Sequence, residues 1–134
     1  MPVRGIRGAT TAELDTPESI TAATDELLRA LVDANSIQVD ELAFAYFTTT
    51  RDLVAEFPAR AARELGWLDV PLLCGHDMDV HPPNPRAVAK CIRILLLYNT
   101  ELPQSDMRHV YLRGATAIKT DLDELRRAVE RLAR

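Results

Sequence analysis

The alternation of apolar and polar positions along the chain predicts five strands. Each of these segments places apolar side chains at alternate or consecutive positions between turn-forming residues, as β-strands do. In chain order the predicted strands are Val3–Ala12, Leu42–Thr50, Val70–Val80, Lys90–Asn99 and Arg108–Arg113. The second and fourth strands are apolar at both odd and even positions, which predicts that both of their faces are buried.

Apolar residues at helical spacing predict three helices between or after these strands. Thr16 is a suitable N-cap and is followed by proline at the first helical position, so the first helix is expected at Pro17–Ala34. A short helix is expected at Pro58–Leu65, where Gly66 ends it. The last helix is predicted to begin with Asp121 as its cap. Its apolar face would consist of Leu122, Leu125, Val129 and Leu132.

The resulting order, β-α-β-α-β-β-β-α, is typical of an α+β fold. The length of 134 residues predicts one domain, spanning residues 1–134. Three helices are too few to cover both faces of a five-stranded sheet within one chain. Strands with two apolar faces therefore predict an oligomer, in which another subunit covers the remaining face.

Composition narrows the class of protein. A net charge of −4 argues against nucleic acid as a partner, because phosphate binding requires a basic surface. The sequence contains no apolar run of about 18 residues that would span a membrane, and its first residues lack the pattern of a signal peptide. Two cysteines do not form a disulfide framework. The expected location is the cytoplasm.

Arginine is unusually common, at fourteen of the sixteen basic residues. Codon usage in a GC-rich genome explains such an excess, and so does a site that recognises carboxylates through the guanidinium fork. The placement of Arg93 is the most informative, because it lies inside the apolar strand KCIRILLLYN. A buried guanidinium requires a partner, which is either an internal carboxylate or an anionic ligand.

Three further arginines have both an ordinary and a functional interpretation. Arg7 shares a strand face with the small residues Gly5 and Ala9, so it either faces a pocket or is a surface residue of an edge strand. Arg60 and Arg63 lie three residues apart on one helix face, which is more often simply solvated. Together these arginines favour a small anionic metabolite as ligand.

The segment CGHDMDVH contains residue types that bind metals, but its spacing does not favour a metal site. On a strand, His76 faces away from both Asp77 and His81. Cys74 has no histidine in strand register, so covalent catalysis is not indicated. We expect no metal and no other cofactor.

Five motifs in a fixed order carry a family resemblance. RGIRGATT, FPARAARELGW, CGHDMDV, KCIR and RHVYL closely resemble those of the monofunctional trimeric chorismate mutases, over residues 3–122. The resemblance implies an α+β chain with a mixed five-stranded sheet and helices outside it. It also implies a homotrimer with a barrel-like strand core, the pseudo-α/β-barrel of the Bacillus-like class, with active sites between subunits.

The resemblance also assigns site residues. By motif, Arg93 lies beside the ether bond that breaks, Arg7 binds a carboxylate and Asp77 occupies the position of a glutamate that accepts a hydrogen bond from the ring hydroxyl. Cys74 matches a cysteine near the same hydroxyl. The remaining substrate-binding positions implied are Phe57, Arg60, Arg63, Leu73, Tyr111, Ile118 and Lys119.

This chain departs from the family pattern at several places. Asp77 is one methylene shorter than the family's glutamate, Arg60 replaces a residue that is often lysine, and Lys119 replaces an arginine. The loop His81–Ala89 and the terminal helix are longer than in the family. These departures put the contact with the ring hydroxyl and the geometry at the pocket mouth in question.

The implied function is the cofactor-free conversion of chorismate to prephenate in phenylalanine and tyrosine biosynthesis. Two other functions remain open. One is a non-catalytic sensor of aromatic-pathway metabolites on the same scaffold, because binding and catalysis would use the same arginines. The other is an enamine/imine deaminase of similar shape, although the motifs of that family are absent.

Overall fold

The computed structural model describes residues 1–133 and has the predicted α+β architecture. Its strands are β1 (Val3–Thr11), β2 (Leu42–Thr49), β3 (Leu72–His76), β4 (Cys91–Asn99) and β5 (Val110–Tyr111). Its helices are α1 (Pro17–Asn35), α2 (Ala59–Glu64) and α3 (Thr116–Leu132). Short 3₁₀ turns lie at Val39–Glu41, Gln104–Asp106 and Arg113–Ala115. No helix among residues 1–133 is both long and apolar enough to cross a membrane.

The five strands form one mixed sheet in the order β3-β2-β4-β1-β5. The central strand β4 is antiparallel to both of its neighbours, β1 and β2. The outer strands β5 and β3 pair in parallel with β1 and β2. The expectation of a mixed five-stranded sheet is therefore confirmed.

Helices α1 and α2 pack on one face of the sheet and form the core with it. Ile6, Phe47 and Leu96 are fully buried on this face, against the leucines of α1. Helix α1 begins where the sequence predicts, because the Thr16 hydroxyl accepts a hydrogen bond from the Ser19 N–H at 3.1 Å. It ends at Ser36, whose left-handed backbone (φ 50°) stops the helix.

The opposite face of the sheet is open within the chain. Leu73 is 56% exposed and Leu95 is 38% exposed, and Phe44 and Tyr46 are only partly buried. The open face agrees with the prediction that one chain has too few helices to cover both faces of β2 and β4, and coverage by another subunit stays a prediction. The face is open because α1 and α2 lie on the same side of the sheet, which leaves alternate residues of both strands without a covering layer.

Several element boundaries also differ from the prediction, and β5 covers only Val110–Tyr111 instead of Arg108–Arg113. Strand β3 ends at His76 instead of continuing to Val80, because the Asp77 carboxylate accepts the Met78 N–H at 2.8 Å and turns the chain. Helix α3 begins at Thr116, directly after a 3₁₀ turn, so Asp121 lies inside the helix and is not its cap. Its carboxylate instead faces Arg86 of the long loop at 3.5 Å.

A prediction follows from the close approach of β1 to α1. A Cβ on Gly8 would lie 2.9 Å from Leu31 Cδ1 and 3.1 Å from Leu27 Cδ1. Gly8→Ala should therefore lower the free energy of unfolding by about 1–3 kcal/mol through overpacking, as measured by urea denaturation at one fixed protein concentration. Gly5→Ala is the matched control on the same strand, since its Cβ would meet no atom closer than 3.9 Å. Equal stability losses in the two variants would contradict this account.

Candidate active site

Four neighbouring strands place one residue each in a row across the open face of the sheet. Arg93 on β4 pairs with Thr48 on β2 and with Ala9 on β1, and Ala9 pairs with Tyr111 on β5. Paired residues in neighbouring strands project from the same face. Arg7, two residues before Ala9, lies on that face as well. The register of three strand pairs thus brings together residues that are far apart in the sequence.

These residues line a cavity of about 250 Å³, which we call the arginine cavity. Its polar groups include those of the predicted residues Arg7, Arg93 and Tyr111. Ile118 and Leu122 from the start of α3 form an apolar wall. Its walls are mainly apolar, so charges inside are less screened than on an open surface. Two guanidinium groups in such a cavity favour an anionic ligand.

Arg93 has a carboxylate partner within the chain. Its Nε lies 3.0 Å from Asp77 Oδ2, and the Arg93 side chain is 46% exposed. The ion pair is made through Nε, and the Cys91 thiol is a further neighbour of the guanidinium. Because a guanidinium has five N–H groups, these two contacts leave donors for a ligand. The internal ion pair and the ligand-binding role are therefore compatible. The Arg93 side chain is half-exposed in the single chain, so the burial expected from the sequence requires a covering subunit and stays a prediction.

Arg7 differs from Arg93 in its surroundings. Strand β5 pairs with β1 only at Gly8 and Ala9, so Arg7 lies on the outer edge of β1 just before the paired segment, and its side chain lines the cavity. Among residues 1–133 no carboxylate forms an ion pair with Arg7. Its positive charge is thus not neutralised by a neighbouring side chain, which suits a group that binds a ligand carboxylate.

A second cavity, of about 360 Å³, lies around the start of α2 and the end of β3, and we call it the Phe57 cavity. Phe57, Cys74 and His76 line it together with Glu56. Burial raises the pKa of the Cys74 thiol, whereas a backbone hydrogen bond at Ala59 and the charge of Arg63 act in the opposite direction. Cys74 is therefore a neutral thiol that can donate a hydrogen bond into this cavity.

The two arginines of α2 differ in their ion pairs. Arg60 lies 3.0 Å from Glu64 and 3.2 Å from Glu56, and its pKa is raised by the hydrogen bond to Glu64 and the charge of Glu56. Arg63 forms no ion pair with another residue in the range 1–133. Both are exposed, as expected for a solvated face, but only Arg63 keeps an unpaired charge beside the Phe57 cavity.

The remaining predicted site residues lie at the margins. Leu73 projects from β3 on the open face opposite Tyr46, where it is exposed. Lys119 on α3 pairs with Asp123 at 3.2 Å and does not line the arginine cavity. The predicted residues thus form two groups. Arg7, Arg93, Tyr111 and Ile118 line the arginine cavity, where Asp77 contacts Arg93. Phe57 and Cys74 line the Phe57 cavity, and the charge of Arg63 acts on Cys74. The two cavities share no lining residue.

The histidine- and aspartate-containing segment after β3 has its side chains directed to different partners. His76 Nδ1 lies 3.2 Å from the Thr49 hydroxyl, Asp77 binds Arg93, and His81 Nε2 lies 2.7 Å from Asp79. Within residues 1–133 there is no group of three or more potential metal ligands.

Sequence analysis missed two polar residues of the arginine cavity, Tyr46 and Thr48. Both lie on β2, for which the sequence predicts two apolar faces. Tyr46 and Thr48 occupy alternate positions of the strand. Ala45, Phe47 and Thr49, on the other face, are buried. This alternation is the signal in the sequence that the two faces of β2 differ.

Comparison with known proteins identifies the family. The profile of the family described as chorismate mutase type I matches residues 3–122. The chain belongs to the chorismate mutase type I family. It is 50% identical over 122 residues to the chorismate mutase AroH of Thermus thermophilus, covering 90% of this chain and 97% of the relative. It is 42% identical over 123 residues to the chorismate mutase AroH of Bacillus subtilis, covering 91% and 94%.

A solved chorismate mutase structure from Clostridium thermocellum has the same fold. It superposes with a TM-score of 0.79 at 41% identity, covering 84% of this chain and 97% of that chain. The family match ends at residue 122, whereas α3 continues to Leu132. This type I chorismate mutase therefore carries a helical extension beyond the part that it shares with its family.

Proposed function

We propose that this protein converts chorismate to prephenate in the arginine cavity, without a metal or other cofactor, at sites completed by a neighbouring subunit. The observation that carries the proposal is the position of Arg93. It projects into a mainly apolar cavity beside Arg7, and its Nε lies 3.0 Å from Asp77 Oδ2. Membership of the chorismate mutase type I family supports chorismate as the substrate.

The reaction requires positioning and charge stabilisation. Chorismate rearranges in one concerted step, in which the ether C–O bond breaks while a C–C bond forms, so no nucleophile or base is needed. The cavity would hold the enolpyruvyl arm over the ring. Arg93 would donate hydrogen bonds to the ether oxygen as negative charge grows there, and Arg7 and Tyr111 would hold the substrate's carboxylates.

Hydrogen bonding and orientation together can account for the rate enhancement that such an enzyme needs. Enzymes at the modest end of rate enhancement gain about 10⁶-fold, which corresponds to ~8 kcal/mol. One fixed donor in a preorganised site supplies roughly 3–4 kcal/mol, and orientation of the flexible arm supplies the rest. Ion pairing with Asp77 adds to preorganisation, because it fixes the plane of the Arg93 guanidinium before substrate binds.

Asp77 would have a second role toward the ring hydroxyl of the substrate. Its Oδ2 contacts Arg93 and its Oδ1 accepts the Met78 N–H, and each carboxylate oxygen can accept another hydrogen bond. Being one methylene shorter than glutamate, Asp77 would reach the hydroxyl directly after a small backbone shift or through a bridging water.

The division of predicted residues between two cavities supports an interface site. Within one chain the two cavities share no lining residue, although both groups of residues match substrate-binding positions of the family. In a homotrimer, the Phe57 cavity of one subunit would face the arginine cavity of the next. Phe57 would form a wall, Cys74 would approach the ring hydroxyl, and Arg60 and Arg63 would form the charged rim. Leu73 would add apolar contact, Ile118 would keep its place in the wall of the arginine cavity, and Lys119 would lie at the pocket mouth.

The open sheet face supports the same assembly. Leu73 and Leu95 are exposed beside the partly buried Phe44 and Tyr46, so apolar surface is available for contact between subunits. Covering this face with a second and third copy would also bury Arg93 more deeply and strengthen its interactions. The cytoplasmic location and the homotrimer expected from the sequence stay predictions.

An activity assay tests the reaction. The purified protein should consume chorismate, with loss of its absorbance and formation of prephenate, and a chelator should not change the rate. Activity that chelation abolishes and a divalent ion restores would contradict the cofactor-free mechanism. Binding of chorismate without turnover would instead support a metabolite sensor, and hydrolysis of an enamine or imine with no action on chorismate would indicate a deaminase.

The role of Arg93 is tested by Arg93→Lys. Lysine keeps a positive charge but lacks the planar fork that contacts Asp77 and the ether oxygen at the same time. We expect kcat to fall by at least about 10²-fold with a smaller change in KM, because the contact strengthens in the transition state. Retention of most of the wild-type kcat would show that Arg93 does not act on the ether oxygen.

The interface site is tested by mixing two inactive variants. Arg93→Ala removes the central group of the arginine cavity, and Arg63→Glu places a repulsive charge at the Phe57 cavity of the other subunit. In trimers assembled from equal amounts of both variants, about a quarter of the interfaces would join two intact halves and recover activity. Light scattering should give three times 14.9 kDa. Mixed trimers with no recovered activity, or an active monomer, would contradict this arrangement.

A further inference from the structure

Along part of its outer edge, strand β1 is bound by side chains and not by another strand. Strand β5 is only two residues long and pairs with Gly8 and Ala9 alone. Before that point, the Gly5 N–H donates to Gln104 Oε1 at 2.8 Å, and Gln104 Nε2 donates to the Gly5 carbonyl at 2.6 Å. The Arg7 N–H donates to His109 Nδ1 at 2.9 Å. Side chains thus continue the pairing that β5 begins.

The hydrogen bond from Arg7 defines the protonation state of His109. Since the backbone N–H of Arg7 donates, Nδ1 must carry a lone pair, and the proton of the neutral ring is on Nε2. An imidazolium has a proton on both nitrogens and cannot accept this bond. Acid would therefore both break the bond and place a positive ring against an N–H donor.

We propose that neutral His109 is a positioning residue for Arg7, because its imidazole fixes the strand from which the Arg7 side chain enters the arginine cavity. The proposal rests on the proposed function only in taking Arg7 as a substrate-binding group. Protonation of His109 would release this part of β1 and lower activity at acidic pH.

The surroundings of His109 keep its ring neutral. Its pKa is lowered from the ordinary value of 6.5, first by burial and then by the positive charges of Arg7 on β1 and Arg126 on α3. The neighbouring α1 contributes the uncharged Asn35, whose amide binds both the carbonyl and the N–H of Arg108, at 2.9 and 2.7 Å. The backbone next to His109 is therefore anchored, and the imidazole has a fixed position from which to hold Arg7.

The sign of the pH dependence follows from this lowered pKa. Folded protein favours the neutral ring, so the His109–Arg7 bond is intact above the unfolded pKa of about 6.5. The bond is lost as the pH falls through the lower pKa of the folded state. Arg126 lies beyond residue 122, where the family match ends. The helical extension of this chain thus contributes a charge that moves the loss of the bond to lower pH.

Two variants of His109 separate an acceptor role from a packing role. Asn can present its amide oxygen near the position of Nδ1, whereas the longer Gln presents its amide near the position of Nε2. We expect His109→Gln to lower kcat/KM by about tenfold, the value of one hydrogen bond. His109→Asn should recover most of that loss and should lack the acidic limb that wild type shows in its pH profile. Equal losses in both variants, or an unchanged acidic limb in His109→Asn, would overturn the proposal.

Arg126 provides a test at a distance from the hydrogen bond. Arg126→Gln removes a positive charge, so the pKa of His109 should rise and the acidic limb of activity should move to higher pH. Arg127→Gln is the matched control, since Arg127 is not among the charges that shift His109. An identical acidic limb in wild type and in Arg126→Gln would contradict the electrostatic part of the inference.

An NMR titration of the three histidines measures the same quantity without catalysis. In wild type, His109 should titrate below 6.5 with an unprotonated Nδ1, and the Arg7 amide resonance should move with it. A pKa of 6.5 or above, or an Arg7 amide that ignores the titration, would overturn the inference even in an active enzyme. The expected titration in a protein that does not convert chorismate would leave the hydrogen bond established and refute the proposed function instead.

Discussion

The position of one guanidinium group on the central strand organises this protein. Arg93 has β1 on one side and β2 on the other, so its backbone is held by two antiparallel ladders. A guanidinium group held on such a rigid support needs a partner that leaves some of its N–H donors for a ligand. Asp77 meets this requirement from across β2, because it engages Nε alone. The cavity, its second arginine and the wall formed by α3 are arranged around that pair.

The sheet also has apolar surface on two faces, and the single chain buries only one of them. Helices α1 and α2 cover one face, where Ile6, Phe47 and Leu96 are completely buried. The other face carries the arginines together with exposed leucines, and apolar surface left in water is unfavourable. A neighbouring subunit that covers this face would exclude water from the cavity and add the residues of the Phe57 cavity. Assembly and catalysis would then have a common physical cause.

The position of Arg7 in the cavity also depends on which groups bind the outer edge of β1. A two-residue β5 cannot supply acceptors along the whole strand, so Gln104 and His109 supply them from their side chains. A glutamine has no charge to gain or lose near neutral pH, whereas a histidine does. One of the two contacts is therefore sensitive to acid, and it is the one at Arg7. The extension of α3 beyond the shared family region places Arg126 where it influences this contact.

The sequence by itself determined the family, the class of fold and the identity of most polar groups in the cavity. Apolar periodicity, the Thr16 cap and five ordered motifs depend on local chain geometry, which a single sequence expresses directly. It did not determine which strand faces are covered, because coverage depends on where α1 and α2 pack. It also did not show that Asp77 pairs with Arg93 or that His109 holds Arg7. These contacts join residues 16 and 102 positions apart, and only the register of the folded sheet brings their atoms within hydrogen-bonding distance.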